Sequence, residues 1–177
     1  MVYPTKKLTL LGLMLALVLV LSIIERMLPP LPMLPPQFGR LGLSNVIIMY
    51  LLFFAGKKEA FTMAFLKALF NFMMRGPTAG ILSLWGGLLS LMLILLLLWL
   101  FKSKPSYVSL SIAGAVGHNI GQLIVACIIM RSWILFAGYL PVLLISGAVF
   151  GTLTGVVLKI IMPAFNRLYS EINEKQS

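Results

Sequence analysis

The chain has 177 residues, 60% of them hydrophobic and 10% charged, a balance that excludes an ordinary soluble domain, in which about 25% of residues are charged. Its formal net charge of +10 comes from 14 Lys and Arg against 4 acids, all Glu; with no Asp, clustered carboxylates for a magnesium–diphosphate substrate and the magnesium partner of a P-loop ATPase are both missing. One Cys127 and one His118 make neither a disulfide nor a Cys/His metal set, so no metal or redox cofactor is expected.

A membrane span takes about 20 predominantly apolar residues. The first segment, 8–28, meets that length, lacks a small-x-small cleavage site and is expected to be retained rather than removed as a signal peptide. Gly12, Ala16 and Val20 recur every fourth residue along it and predict a smooth ridge for helix–helix contact, inside the bundle or with another subunit. Glu25 and Arg26 close the segment. Residues 27–40 hold five prolines among Leu and Met, which predicts an extended, stiff loop: a plain crossover, or a lid hinged at Phe38 and Gly39.

Segments 41–56 and 59–75 are shorter, separated by Lys57-Lys58-Glu59, and are expected to be two short helices; the alternative is one re-entrant hairpin. In the second of them Lys67, Asn71 and Arg75 are spaced i, i+4, i+8, so a helix aligns them in one polar stripe roughly 12 Å long. Ionisable groups inside a membrane are costly and mark function by default. Two readings of Lys67 stand: with Asn71, Arg75, Ser44 and Asn45 it holds an anionic head group, or it pairs internally with Glu25.

Segment 77–101 carries Ser83, Trp85, Gly86, Gly87 and Ser90, an aromatic wall with close backbone approach, or simple packing. Segment 106–130 contains Gly114, Gly117 and Gly121 for close helix contact and the densest polar cluster of any span, His118, Asn119 and Gln122. His118 is read either as a hydrogen-bonded packing residue or as a binding residue that needs no catalytic partners. The last segment, 141–162, is expected to begin at Pro141 and stop at Pro163, with Gly138-Tyr139-Leu140 as an approach loop.

Six crossings put Lys6, Lys7, Lys57, Lys58, Lys102, Lys104, Lys159, Arg167 and Lys175 on one side and only Arg26, Arg40, Arg75 and Arg131 on the other. The positive-inside rule then places both termini in the cytoplasm. The basic charge is therefore topological, with membrane lipid rather than nucleic acid as its surroundings. All four cations expected outside are Arg, whose planar fork binds carboxylate or phosphate bidentately; singly they read as helix caps, together as an anion site. The expected protein is an all-α integral membrane bundle of six transmembrane helices in a single domain, multi-pass in a prokaryotic cell membrane.

Length, helix number, termini and the ridge at Gly12 and Ala16 resemble the substrate-binding S components of energy-coupling factor (ECF) transporters. The stretches Leu41-Gly-Leu-Ser-Asn-Val, Phe70-Asn-Phe-Met-Met-Arg-Gly-Pro and Gly117-His-Asn-Ile-Gly-Gln resemble more narrowly the heptaprenyl diphosphate synthase component I family, also called the Gx transporter family. The S-component likeness implies a transmembrane scaffold subunit docked on the Gly12–Ala16–Val20 ridge and two cytoplasmic ATPases as partners. It also implies a small-molecule substrate and no catalysis. The family label implies prenyl synthesis, yet a chain without Asp has no metal ligands for an allylic diphosphate. The expected site is Lys67, Asn71, Arg75, Arg40 and Asn45 around an anion, with His118, Asn119, Gln122 and Trp85 against the remainder. The ligand is expected to be isoprenoid-related, mevalonate-like, a flavin or a quinone precursor. A noncatalytic membrane anchor or regulator of a soluble enzyme is the alternative.

Overall fold

The computed structural model describes residues 4–27, 42–101 and 105–174. Six helices account for nearly all of them: α1 (Pro4–Met27), α2 (Leu43–Phe54), α3 (Lys57–Arg75), α4 (Pro77–Leu100), α5 (Tyr107–Ile129) and α6 (Ile134–Glu174). Four have the length and hydropathy of a membrane span, Leu8–Glu25, Pro77–Leu100, Tyr107–Ile129 and Ile134–Pro163. The chain is an α-helical membrane protein.

The two short middle helices fill the bundle differently. With 12 residues, α2 is about 18 Å long, too short for a bilayer, and it buries Ser44 and the whole run Val46–Leu52. A helix apolar all round is a core helix; α2 packs on α1, α3 and α6. α3 is the reverse of a soluble amphipathic helix. Its buried stripe is Ala60, Met63, Ala64, Lys67, Ala68 and Asn71, whereas Phe65, Leu69, Phe72 and Met73 are exposed on the outside, as expected where lipid is the solvent. Lys57, Lys58 and Glu59, expected as a separator, form the first turn of α3. Gly56 and Gly76 bracket this helix at φ +119 and +86, a region in which a side chain is strained. Pro77 then opens α4 at a position that needs no N–H donor.

Glycines join α4, α5 and α6. A Cβ on Gly121 would lie 2.7 Å from the carbonyl oxygen of Trp85 in α4, and one on Gly117 would lie 3.2 Å from that of Leu89. The other face of α5 meets a second series, Gly147, Gly151 and Gly155 of α6, at Val116, Ile112 and Val108. Small residues every fourth position allow such backbone approach. Buried hydroxyls add a bond across the same interface, Ser111 Oγ to Thr154 Oγ1 at 2.7 Å.

The sixth helix departs from the sequence expectation at both ends. Pro141 and Pro163 lie inside it, and Gly138, Tyr139 and Leu140 are helical. An interior proline deletes one ladder bond, but in a membrane helix packed on its neighbours that loss is tolerated. The Pro-rich loop and Arg40 lie outside the described residues.

The ridge on α1 faces away from the bundle. Met14, Val18, Ser22 and Glu25 point inward and are buried, while Gly12, Ala16 and Val20 are exposed. Among the described residues, no atom beyond its own helical turn stands within 4 Å of a Cβ built on Gly12.

Candidate functional site

The polar exceptions on five helices meet at one cavity of about 240 Å³. α1 contributes Ser22 and Glu25, the start of α2 gives Gly42 and Asn45, and α3 gives Lys67, Asn71 and Arg75. Thr78, Ala79, Leu82 and Ser83 of α4 and His118, Asn119 and Gln122 of α5 complete the wall. Lys67 and Asn71 are buried and Arg75 is exposed, so the α3 stripe runs from the interior to the surface along one side of the cavity.

The first turn of α2 separates the buried charges. Gly42 precedes it in the left-handed region, φ +70, and provides no side-chain cap. The carboxylate of Glu25 takes that role from α1, accepting the Ser44 backbone N–H at 3.2 Å and the Ser44 hydroxyl at 3.3 Å. A negative group is favoured there by the unpaired N–H groups of a helix start. On the next residue, Asn45 Oδ1 accepts from Lys67 Nζ at 2.7 Å. Each of the two charges thus has a hydrogen-bonding neighbour on α2, Ser44 for Glu25 and Asn45 for Lys67.

The remaining polar groups tie helices together while facing the same space. Asn71 Nδ2 donates to Ser83 Oγ at 2.9 Å, joining α3 to α4. Asn119 Nδ2 donates to the Leu143 carbonyl at 3.0 Å, joining α5 to α6 and leaving its own carbonyl as an acceptor. His118 lies against Gly86: a Cβ there would stand 2.8 Å from Cε1 and Nδ1 of the imidazole and 2.9 Å from Cγ of Gln122. The absent side chain of Gly86 is what admits both groups to the wall. Two buried polar atoms, His118 Nδ1 and Ser22 Oγ, have no hydrogen-bond partner among the described residues.

Eight of the nine residues read from sequence as a ligand site fall among the described residues, and seven line this cavity: Asn45, Lys67, Asn71, Arg75, His118, Asn119 and Gln122. Trp85 does not. It is 54% exposed and absent from the wall, because Ser83, Gly86 and Ser90 take the inward side of α4 and a helix turns the residue between them outward. Trp85 therefore provides no aromatic wall to this cavity. Of the four arginines expected on the outer side, Arg131 sits exposed in the α5–α6 turn at φ +51 and does not line the cavity. Ser22 and Thr78 were not anticipated; the signal for Ser22 was its i, i+3 spacing with Glu25 on an otherwise apolar helix.

Fold and site together define a helical membrane protein that keeps a charged, hydrogen-bonding cavity inside its bundle. The sequence model of the heptaprenyl diphosphate synthase component I family matches residues 14–161, most of the chain, and the protein belongs to that family. No curated protein and no solved structure gives a significant match. The family description speaks of one component of a synthase and so implies a partner.

Proposed function

We propose that the protein is the substrate-binding membrane subunit of an ECF-type importer in a prokaryotic plasma membrane, and that it binds a small anionic, partly apolar compound without transforming it. The observation carrying this reading is the cavity, with Lys67 buried on one wall and Arg75 at its edge. A buried ammonium in a membrane bundle is costly unless it has a task, and Arg75 adds a planar donor suited to carboxylate or phosphate. At about 240 Å³ the cavity lies just below the usual range of roughly 300–1,000 Å³ for drug-sized ligands. That favours a mevalonate-like or short isoprenoid-related acid over a flavin. The ligand enters from outside, and release requires a transmembrane scaffold with two cytoplasmic ATPases, docked on the outward ridge of Gly12, Ala16 and Val20.

The test is binding by the purified chain to mevalonate, isopentenyl phosphate and simple alkyl carboxylates and phosphates. Lys67→Met is expected to weaken the tightest of these by about 1.5–3 kcal/mol, the range for hydrogen bonds to charged groups. Arg75→Gln changes affinity in the same direction by less, because an exposed charge is screened. Parent-like affinity in both variants would reduce the cations to topological determinants. The family's description favours a second reading, a noncatalytic anchor or regulator of prenyl diphosphate synthesis. Co-purification of a soluble synthase, in place of a scaffold and ATPases, would select it.

A further inference from the structure

The cavity is not uniformly basic. Besides the cations of α3, the cavity is lined from α1 by Glu25 and, one turn before it, Ser22. Glu25 is 8% exposed and Ser22 4%, so both belong to the buried wall and not to the rim. The Ser22 hydroxyl makes no hydrogen bond among the described residues. Glu25 accepts two bonds, both from Ser44, and an ionised carboxylate has about four acceptor sites. The acid therefore caps α2 with half its capacity and retains acceptors beside a hydroxyl without a partner.

A cap alone does not require a charge here. A neutral amide at position 25 would still accept the Ser44 N–H, though more weakly than a carboxylate does, and a charge held in a membrane bundle needs a compensating role. Lys67 is engaged with Asn45 on the next residue of α2, so the first turn of α2 holds the acid and the base on separate partners. In so small a space a ligand carrying only negative charge would meet the Glu25 carboxylate within a few ångströms and be repelled by it.

We propose that the cavity is bipolar and takes a small zwitterion, whose protonated amine is held by Glu25 and Ser22 while its carboxylate or phosphate is held by Lys67 and Arg75. This rests on the anion-binding reading above and specifies the other end of the ligand. The amine donates to the free carboxylate acceptors and to the Ser22 oxygen, which satisfies the buried hydroxyl on binding. The ligand then enters with its charges already balanced, and the bundle gains no net charge.

The experiment compares matched pairs that differ only in the amine: 5-aminopentanoate with pentanoate, glutamate with glutarate, and phosphoethanolamine with ethyl phosphate. Each is titrated against the full chain in detergent, with binding read by thermal stabilisation and calorimetry. The best zwitterion is expected to bind about tenfold or more tighter than its partner, as a hydrogen-bonded ion pair implies. In Glu25→Gln, which keeps an acceptor for Ser44, that preference falls to near parity while affinity for the simple anion rises, the repelling charge being gone. Ser22→Ala lowers the preference by a smaller factor without altering charge, and serves as the second variant where Glu25→Gln does not fold. If the simple anions bind as tightly as the zwitterions, or the preference survives in Glu25→Gln or, where that variant does not fold, undiminished in Ser22→Ala, the bipolar assignment is wrong and the anion site stands. If no member of any pair binds, both assignments fall.

Discussion

Gly86 is where one methyl group tests the cavity wall most directly. A Cβ there would stand 2.8 Å from two atoms of the His118 ring and 2.9 Å from Gln122 Cγ, well inside the roughly 3.5–4.0 Å at which nonbonded carbons are at optimum. Gly86→Ala must therefore move something. Helix α5 cannot back away as a body to make room, because its other face is already packed on Gly147, Gly151 and Gly155 of α6. The relief is rotation of the imidazole and of Gln122 into the cavity, off their packed positions. Overpacking of this kind costs about 1–3 kcal/mol, and the cavity loses volume. Denaturation in mixed micelles is expected to report that loss, with ligand affinity lowered in parallel. Removing the obstacle should restore stability: Gly86→Ala in a His118→Ala background is expected to cost far less, with a coupling of about 0.5–3 kcal/mol between the two sites. Parent-like stability of Gly86→Ala, or the same cost with and without the imidazole, would refute the account of how His118 enters the wall.

Two further outcomes follow from the helix contacts. Gly12→Leu with Ala16→Leu is expected to leave stability and ligand binding intact, since among the described residues no atom beyond its own helical turn lies within 4 Å of a Gly12 Cβ, while abolishing co-purification with a scaffold subunit and uptake; loss of folding would make the ridge internal. Gly151→Ala is expected to destabilise by about 3 kcal/mol or more, the upper end for overpacking, because its Cβ would fall 2.5 Å from the Ile112 backbone. Gly138→Ala, which meets nothing within 4 Å, should stabilise α6 by up to about 1 kcal/mol from helix propensity; chemical denaturation of the pair measures the contrast.

The sequence made the helical phase of each element readable, and less of how the elements meet. Lys67, Asn71 and Arg75 recur every fourth residue, so one helix face was enough to bring them to one cavity wall. Trp85 obeys the same rule: two residues beyond Ser83 and one before Gly86, it points away from the side those two share, and grouping it with them by proximity in the chain ignored the turn of the helix. Pro141 carried an ambiguous signal. A proline at a first-turn position and one tolerated inside a membrane helix look alike in sequence, and here two further turns precede it. The repeated glycines of α6 at 147, 151 and 155 share the every-fourth spacing of Gly117 and Gly121 in α5, and that spacing marks a packing face without naming the helix it meets.

The bond between Glu25 and Ser44 was out of reach for a different reason. It joins residues 19 apart in the chain across a Pro-rich stretch whose length leaves the register between α1 and α2 undetermined. Pairing by charge suggested Lys67 as the partner of the acid, since both are ionisable groups in apolar segments. A helix start offers an alternative that charge counting overlooks, for its free N–H groups already act as a partial positive charge. Once α2 is short and buried, with Gly42 giving no side-chain cap, its first turn needs an acceptor from elsewhere, and Glu25 is the acid that the bundle brings to it. Lys67 meets the next residue of the same turn, Asn45, and lines the cavity. The place where α2 starts and the presence of both charges in one cavity are linked: an extension at its N-terminus would carry the first turn past Glu25, and Ser44 and Asn45 would no longer be the free start of a helix that the acid caps.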